Sequence, residues 1–461
     1  MTSKNFGSVK IPEKILPILD EAEVIVAGGG TAGIIAAIAA ARSGVKTILI
    51  EKEGFLGGAL TGTYCTQPGL FGDSNEHQII KGIGWELIER MEKKGAAIVN
   101  RKNWKVQIYP EAIKDIAVEM VIESGVILYL YSWISDVVMD NNRIDSIIIQ
   151  NKSGRQVIKG KVFIDTTGDA DLAYLAGVPT EKLDADNLWQ TSVDLKVCNI
   201  DPVKVIEWSN ENEDEIMTDE IPELMDEYNG IYPMFEFIIY ADDTELLPGK
   251  PGIKHKGPIP TVKLMIHHTL SRVQGSVELD GTDVKQLTCG KIEARRRALE
   301  HLKNLKETIP GFEDAIIIGE SYLGVRESRR IIGDYIIKID DLHNNARFDD
   351  VVALNCRPLD RHLKGEIFEI SFLEGNHDIP LKALIPQKIT NLLVAGRCIS
   401  SDHDANASLR GAATCMATGH AVGAASALAA KQNGLIRNID IKTLQSILIN
   451  QNAVLKINNK S

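Results

Sequence analysis

An α/β fold built on a parallel sheet follows from three stretches of this 461-residue chain. The first is a short apolar run, Val24 to Ala27, which turns through glycines at 28, 30 and 33 into an alanine-rich stretch. The second is a series of strand-like runs between residues 126 and 165, separated by turn residues. The third is a small-residue stretch near the C-terminus, Gly411 to Lys431, behind another apolar run, Asn391 to Ala395. They predict one domain of parallel sheet plus β-meander encoded at both ends of the chain, with an α+β domain inserted. The expected division is 1–180, an inserted substrate or cap domain over 181–384, and a returning part over 385–461.

Val24 to Ala27 is apolar and rich in β-branched residues, as suits a strand buried on both faces. Gly28, Gly30 and Gly33 give G-x-G-x-x-G where that strand must become a helix. In that spacing the first glycine makes the tight turn, and the second lets backbone approach a pyrophosphate. The third lets helix and strand pack closely. A helix is expected from Thr31 to Ser43, stopped by Gly44, and a second strand from Lys46 to Ile50. That strand delivers Glu51 where an acid takes ribose hydroxyls, which completes a Rossmann-like unit. A transmembrane reading of Val24 to Ala41 fails. A span needs about 20 apolar residues, and this run holds four glycines and ends at Arg42.

The glycine pair Gly57 and Gly58 follows Glu51, ahead of Ala59, Leu60 and Thr61. Here the sequence resembles FAD-binding enzymes of the glutathione-reductase-like superfamily, in which an E-x5-G-G segment runs past the FAD pyrophosphate. The resemblance implies FAD, with NAD alone as the second choice.

The hydrophobic content of 44% and charged content of 25% are ordinary for a globular protein. A net charge of −12 argues against nucleic acid and anionic membrane surfaces. The N-terminus has no apolar segment of a secretory signal, and the six cysteines lack C-x-x-C spacing. Reduced thiols, a cytoplasmic location, no membrane insertion and no bound metal are expected.

In chain order, residues 1–20 read as an N-terminal arm lying on the body. Tyr64 to Asn75 is loop-like; Cys65 is a weak candidate redox thiol, and His77 a candidate covalent tether. Helices are expected over Trp85 to Lys94 and from Pro110 to Gly125. A meander is expected from Val126 to Tyr131, Ile134 to Met139, Arg143 to Gln150 and Arg155 to Lys159, returning through Lys161 to Asp165. The last run ends in D-T-T-G-D, which resembles a second flavoprotein signature. There Gly168 admits the cofactor and Asp169 accepts from a hydroxyl, unless Asp169 or Asp171 is simply a helix cap. Beyond it, strand-like pieces at Thr191 to Val197, Phe235 to Tyr240 and Thr261 to His267 surround an acid-rich run between Glu207 and Glu227, read as a solvated helical face.

The segment R-E-S-R-R holds Arg326, Arg329 and Arg330. If it is helical, Arg326 shares a face with the other two, and the cluster can hold a carboxylate or phosphate. The alternative is internal pairing with Glu327 and Asp334. Asp360 and His362 sit in R-P-L-D-R-H, and His377 in E-G-N-H-D. The helix from Gly411 to Lys431 presents free N–H groups at its start. Aimed at the flavin N1/C2=O edge, they would stabilise the reduced anionic form.

Together, G-G-G-x-A-G, D-x-T-G-D, G-V-R-E-S-R-R-I-x-G-D-Y, I-P-x-x-x-L-I-P and N-L-L-V-A-G-R-C-I-S resemble one group of FAD-dependent oxidoreductases. That group is related to fumarate-reductase-like flavoproteins and to the flavin subunit of heterodisulfide reductase. The resemblance implies hydride transfer through flavin N5 and a cofactor site at Gly28, Gly30, Thr31, Ala32, Gly33, Glu51, Lys52, Gly58, Ala59, Thr61, Ile134, Gly168, Asp169, Gly396, Leu409 and Ala412. A second G-x-G-x-x-G and a C-x-x-x-x-C pair are missing, which speaks against a glutathione-type disulfide reductase.

The expected activity moves a hydride between FAD and a small polar substrate bearing a hydroxyl, keto or carboxylate group. His403 is the expected acid/base and Arg410 the expected oxyanion ligand, with His362, His377, Arg326 and Arg329 orienting the substrate. Two other classes remain open: the flavin subunit of an electron-transfer complex, and a flavin- or NAD-binding protein without turnover. The electron partner is unknown, and a homo-oligomer stays open.

Overall fold

The computed structural model describes residues 7–201, 271–363 and 367–457, together with 204–205, 208 and strand segments at 216–218, 235–239, 245–246, 252–256 and 261–264. Its central sheet begins with β1 (Ile18–Ala27), which leads through the glycine turn into α1 (Thr31–Arg42) and on to β2 (Thr47–Ile50). α2 (Ile83–Lys93) and α3 (Pro110–Glu123) precede β3 (Ile127–Tyr129). A meander of β4 (Trp133–Asp140), β5 (Arg143–Asn151) and β6 (Gly154–Asp165) follows. After the insertion, β7 (Leu392–Val394), α4 (His403–Leu409) and α5 (Ala412–Lys431) return the chain to this sheet.

The strand order is β3-β2-β1-β6-β5-β4, with β7 also paired to β6. β1, β2, β3, β6 and β7 run parallel, and β4 and β5 antiparallel. The expected fold class is therefore observed: a Rossmann-like sheet carrying a β-meander. One strand joins the two regimes. Arg155 to Lys159 of β6 pair with β5, whereas Phe163 to Asp165 pair with β7. The two runs expected on either side of Gly160 are thus one strand. Val126 to Tyr131 also differs from expectation, because its strand pairs in parallel with β2 at the sheet edge and takes no part in the meander. The carboxyl ends of the parallel strands, at Ala27, Ile50, Asp165 and Val394, lie in register on one edge. In open α/β sheets that edge is where ligands bind.

α1 is apolar all round because it is enclosed. Its residues from Ala32 to Ala40 are buried beneath α5. A Cβ on Gly33 would overlap the Gly28 carbonyl oxygen, and Cβ atoms on Gly419 and Gly423 would overlap the carbonyl oxygens of Ala32 and Ala36. Glycine there brings backbones into direct contact. Pro110 opens α3 at its first turn, and Gly125 beyond its end has φ +78°.

Of the N-terminal arm, residues 7–15 are exposed, whereas the Pro17 carbonyl accepts the Val157 N–H and Ile18 to Asp20 open β1 in the central sheet. Residues 7–17 form no helix or strand, and Val9 and Ile15 are exposed at 91% and 101%. Pro12 and Pro17 interrupt any spacing that would gather their apolar neighbours on one face.

Thr191–Cys198 lies between Ser271–Val277 and Ile316–Glu320 in an antiparallel sheet, and packs beside the helix Val284–Thr308. Asp283 caps that helix through the N–H groups of Lys285 and Gln286. Leu359–Leu363 and Ile367–Ser371 form part of a second antiparallel sheet. The strands expected near 235 and 261 are present over Phe235–Ile239 and Thr261–Leu264. Most of the acidic run from 207 to 227 lies outside the described residues. The six cysteines are all free.

Candidate functional site

A cavity of about 1420 Å³ opens at the carboxyl edge of the parallel sheet. It exceeds the roughly 300–1,000 Å³ of most ligand pockets, so it has room for a large cofactor and a second molecule. One end is glycine-lined. Gly28 has φ +101°, and a Cβ there would lie 2.7 Å from the Thr166 carbonyl oxygen. Gly30, Gly58, Gly168 and Gly396 also line the space, the last three with positive φ. No side chain intrudes at these positions, and Gly30 is the residue from which α1 starts. Backbone and helix terminus therefore face the cavity, as a dinucleotide requires.

Glu51 ends β2 beside this cradle and lines the cavity. Its oxygens accept from the N–H groups of Gly29 (2.6 Å) and Glu53 (2.8 Å). Each oxygen keeps a second lone pair for a hydroxyl. Burial pushes its carboxyl above the usual range, against the pull of those N–H groups and Lys52. Lys52 lines the cavity with its ammonium 4.9 Å over the Trp133 ring.

Asp169, from the second motif, accepts from Arg397 (2.8 Å) and from the hydroxyl of Ser328. Burial raises its carboxyl, but the charge of Arg397 and these hydrogen bonds outweigh burial and hold it below its usual value. Neither Asp169 nor Asp171 caps the helix Asp171–Leu175. Ala170 holds the cap position with φ +53°, while Thr167 and Asp165 receive the N–H groups of Asp171 and Ala173. Asp171 is pushed up to about 6 by burial and by the charges of Asp169 and Asp165.

The R-E-S-R-R segment is not helical, and only Arg330 and Ile331 belong to a short strand, so its arginines do not share a helical face. Arg326 and Arg329 nonetheless both line the cavity. Arg326 donates to the Gln190 carbonyl at 2.7 Å. Arg329 pairs with Asp171, donates to the Asp169 carbonyl and stacks on Tyr174. Glu327 and Arg330 point the other way, where they form a fully buried ion pair. Asp334, the other acid considered as a partner, pairs with Arg437.

The far end of the cavity is polar and centred on Asp360. Its carboxylate pairs with Arg357, Arg410 (3.1 Å) and His362 (2.9 Å). Burial alone would raise Asp360; its interactions with His362, Arg410 and Arg357 outweigh it and hold the carboxyl well below its usual range. Burial and the charge of Arg326 take His362 down to about 4 against the pull of Asp360, so the imidazole is neutral at pH 7. Burial also takes Arg410 down to about 9, with Asp360 pulling upward and Arg357 and Arg326 downward.

The model of the family described as "FAD dependent oxidoreductase" matches residues 23–448. The chain belongs to that family.

This flavoenzyme is similar over shorter stretches to dihydrolipoyl dehydrogenases. It is 29% identical to the mitochondrial enzyme of Pisum sativum over 170 residues, 35% of this chain and 31% of that protein. Over 52 residues it is 44% identical to the enzyme of Trypanosoma brucei brucei, 11% of each chain. The chain thus spans less than a third of these relatives' length. Among solved structures, a geranylgeranyl bacteriochlorophyll reductase-like protein from Thermoplasma acidophilum aligns at TM-score 0.46 and 13% identity, over 94% of this chain and 84% of that one. A flavin-dependent brominase triple mutant aligns at TM-score 0.48 and 14% identity, over 94% and 85%.

Of the residues the sequence nominates for FAD, Gly28, Gly30, Thr31, Ala32, Glu51, Lys52, Gly58, Ala59, Ile134, Gly168, Asp169, Gly396 and Ala412 line the cavity of the flavoenzyme. Gly33, Thr61 and Leu409 stand behind the wall. Gly33 faces the Gly28 carbonyl, the Thr61 hydroxyl donates to Leu56 at 2.9 Å, and Leu409 is buried in the core. Of the catalytic candidates, Arg326, Arg329, His362 and Arg410 reach the cavity, and His377 and His403 do not. His377 is buried with its Nε2 3.2 Å from Asn355. His403 opens α4, but its ring stacks on Trp189 at 3.8 Å and its Nδ1 meets Glu327 at 2.9 Å. Cys65 lines the cavity, while His77, the suggested tether, does not. Arg357 and Arg397 were missed. Both were visible as cations beside motif residues, in R-P-L-D-R-H and A-G-R-C. Among the described residues, no group of three or more His, Cys, Asp or Glu is arranged to hold a metal, and no helix is long and apolar enough to cross a membrane.

Proposed function

We propose that this enzyme moves a hydride between FAD and a small polar substrate carrying a hydroxyl, keto or carboxylate group. The observation that carries the reading is the continuity of one cavity from the glycine cradle to the Asp360 cluster. Bound FAD would supply the hydride-transferring centre. The chain's own residues do the rest. Gly28, Gly30, Gly58, Gly168 and Gly396 leave backbone exposed for the pyrophosphate, Glu51 takes ribose hydroxyls, and Arg397 holds Asp169 ionised to accept from another hydroxyl. Arg326 and Arg410 bind and orient the substrate, and neutral His362 is placed to hold or move its proton. His403 acts through Glu327 to fix the segment that carries Arg326. The parts 1–180 and 385–461 act as the cofactor domain, and 181–384 as the substrate domain.

The test begins with the absorbance spectrum of purified protein before and after acid precipitation. Flavin bands with FAD released to the supernatant are expected. The bound flavin should then bleach anaerobically with at least one hydroxy or saturated acid of a panel, or, once reduced, regain its colour with the corresponding keto or unsaturated acid. Protein that takes up no FAD on reconstitution would sink the proposal.

A further inference from the structure

At the polar end of the cavity Arg357 and Arg410 share one carboxylate, Asp360, and the charge of Arg326 acts on both His362 and Arg410. Arg357 directs its terminal nitrogens to Asp360 and to the Ala407 carbonyl, which fixes the guanidinium plane. Arg410 directs Nη2 to the carbonyl and carboxylate of Asp360. Its Nε–H, on a side chain nine-tenths buried in the cavity wall, has no acceptor among the described residues. A buried guanidinium N–H without an acceptor is destabilising. It is retained where something arrives to accept it.

Resting on the functional reading above, we propose that Arg410, Arg357 and Arg326 form the binding site for a carboxylate on the substrate, with Asp360 as the positioning residue that aligns Arg357 and Arg410. A carboxylate oxygen accepts the Arg410 Nε–H, and the surrounding guanidiniums balance its charge. The class is carboxylate rather than phosphate because the Asp360 anion stands within the cluster. It repels a dianion more than a monoanion, and planar guanidinium forks match two coplanar oxygens. Substrates that differ only in having this carboxylate as an amide are therefore poor ligands.

The probes are sodium acetate and malonate, with inorganic phosphate as the comparison, titrated into the FAD-loaded protein at constant ionic strength. Flavin difference absorbance and calorimetry report binding without turnover. Saturable carboxylate binding is expected, with dissociation constants raised on the order of 10- to 100-fold in Arg410→Met and Arg357→Met. Arg296→Gln, on an exposed helix face, should leave them unchanged. If the Met variants do not fold, Arg410→Lys, which keeps the charge but not the fork, carries the test and should weaken binding several-fold. Carboxylate binding that is unaltered by these variants, or phosphate binding more tightly than the carboxylates, overturns the assignment. The outcome is separable from that of the functional reading. Flavin bands with no carboxylate binding sink only this inference. Protein without FAD sinks the reading, and calorimetry on that protein still decides the anion site.

Discussion

Glu327 and Arg330 offer the sharpest energetic prediction. Both side chains are out of water, at 0% and 1% exposure, and they pair directly. Glu327 also meets His403 Nδ1 at 2.9 and 3.0 Å and accepts the Trp189 N–H at 3.3 Å. Arg330 has the Ser401 carbonyl at 3.0 Å, and its remaining acid, Glu181, is 3.7 Å away and half exposed. Glu327→Gln preserves the shape but leaves the guanidinium charge without its buried counter-ion. Breaking a buried pair by removing one partner costs about 3–5 kcal/mol. Even with a steep urea dependence of about 3 kcal/mol/M, the unfolding midpoint should fall by at least about 1 M. The assay is urea unfolding followed by circular dichroism and tryptophan fluorescence, both probes being needed because a chain of this size need not unfold in one step. Glu327→Gln/Arg330→Met removes both charges and should recover more than half of the loss. A single variant within about 1 kcal/mol of the wild type would refute the argument that this pair is a desolvated ion pair.

Other outcomes follow from the cradle and the buried histidines. Gly30→Ala meets nothing nearer than 3.8 Å, so it should fold normally yet purify with a markedly lower flavin-to-protein absorbance ratio. Gly33→Ala, whose Cβ overlaps the Gly28 carbonyl, should instead lose soluble folded protein; the reverse ranking would contradict the assigned roles. His377 is lowered to about 3 by burial and the Arg347 charge, and His420 to about 4 by burial and the Arg42 charge against its Gln451 hydrogen bond. The folded protein keeps both neutral while the unfolded chain protonates them below about pH 6.5. Stability therefore falls as pH drops from 6.5 towards 4, by up to about 1.4 kcal/mol per pH unit for each histidine. His377→Gln should flatten that slope in urea midpoints measured at pH 6.5, 5.5 and 4.5, and an unchanged slope would show that His377 is not held neutral.

The parts of the site that the sequence discloses are those that local chain geometry dictates. The turn at Gly28, Gly30 and Gly33, the acid at Glu51 and the break at Gly168 lie at the ends of short apolar strands whose neighbours are fixed by backbone alone. The polar end was harder to read. Arg357, Asp360 and His362 become a cavity wall only when their strand is brought against α4 and Arg410, a contact across some 50 residues. Cations and acids in R-E-S-R-R also suit a helix by spacing, but the segment pairs Arg330 and Ile331 with Glu181 and Thr180, and tertiary pairing outweighs local propensity. His403 opens α4, a helix separate from the expected one over Gly411 to Lys431, and no local pattern discloses that Trp189 and Glu327 claim its ring. Val126 to Tyr131 joins the parallel edge and not the meander, because a short apolar strand carries no mark of its direction.

The direct backbone contact between α1 and α5 has a consequence for biosynthesis. α1 leaves the ribosome well before α5, which covers its apolar surface where Gly419 and Gly423 rest on Ala32 and Ala36. Until the C-terminal segment is released, the nascent nucleotide-binding unit exposes that surface, and β6 lacks β7 along its final residues. Contacts so distant in sequence form slowly, and the waiting intermediate is prone to aggregate. Truncation within α5 should thus be far more damaging than its distance from the glycine turn suggests.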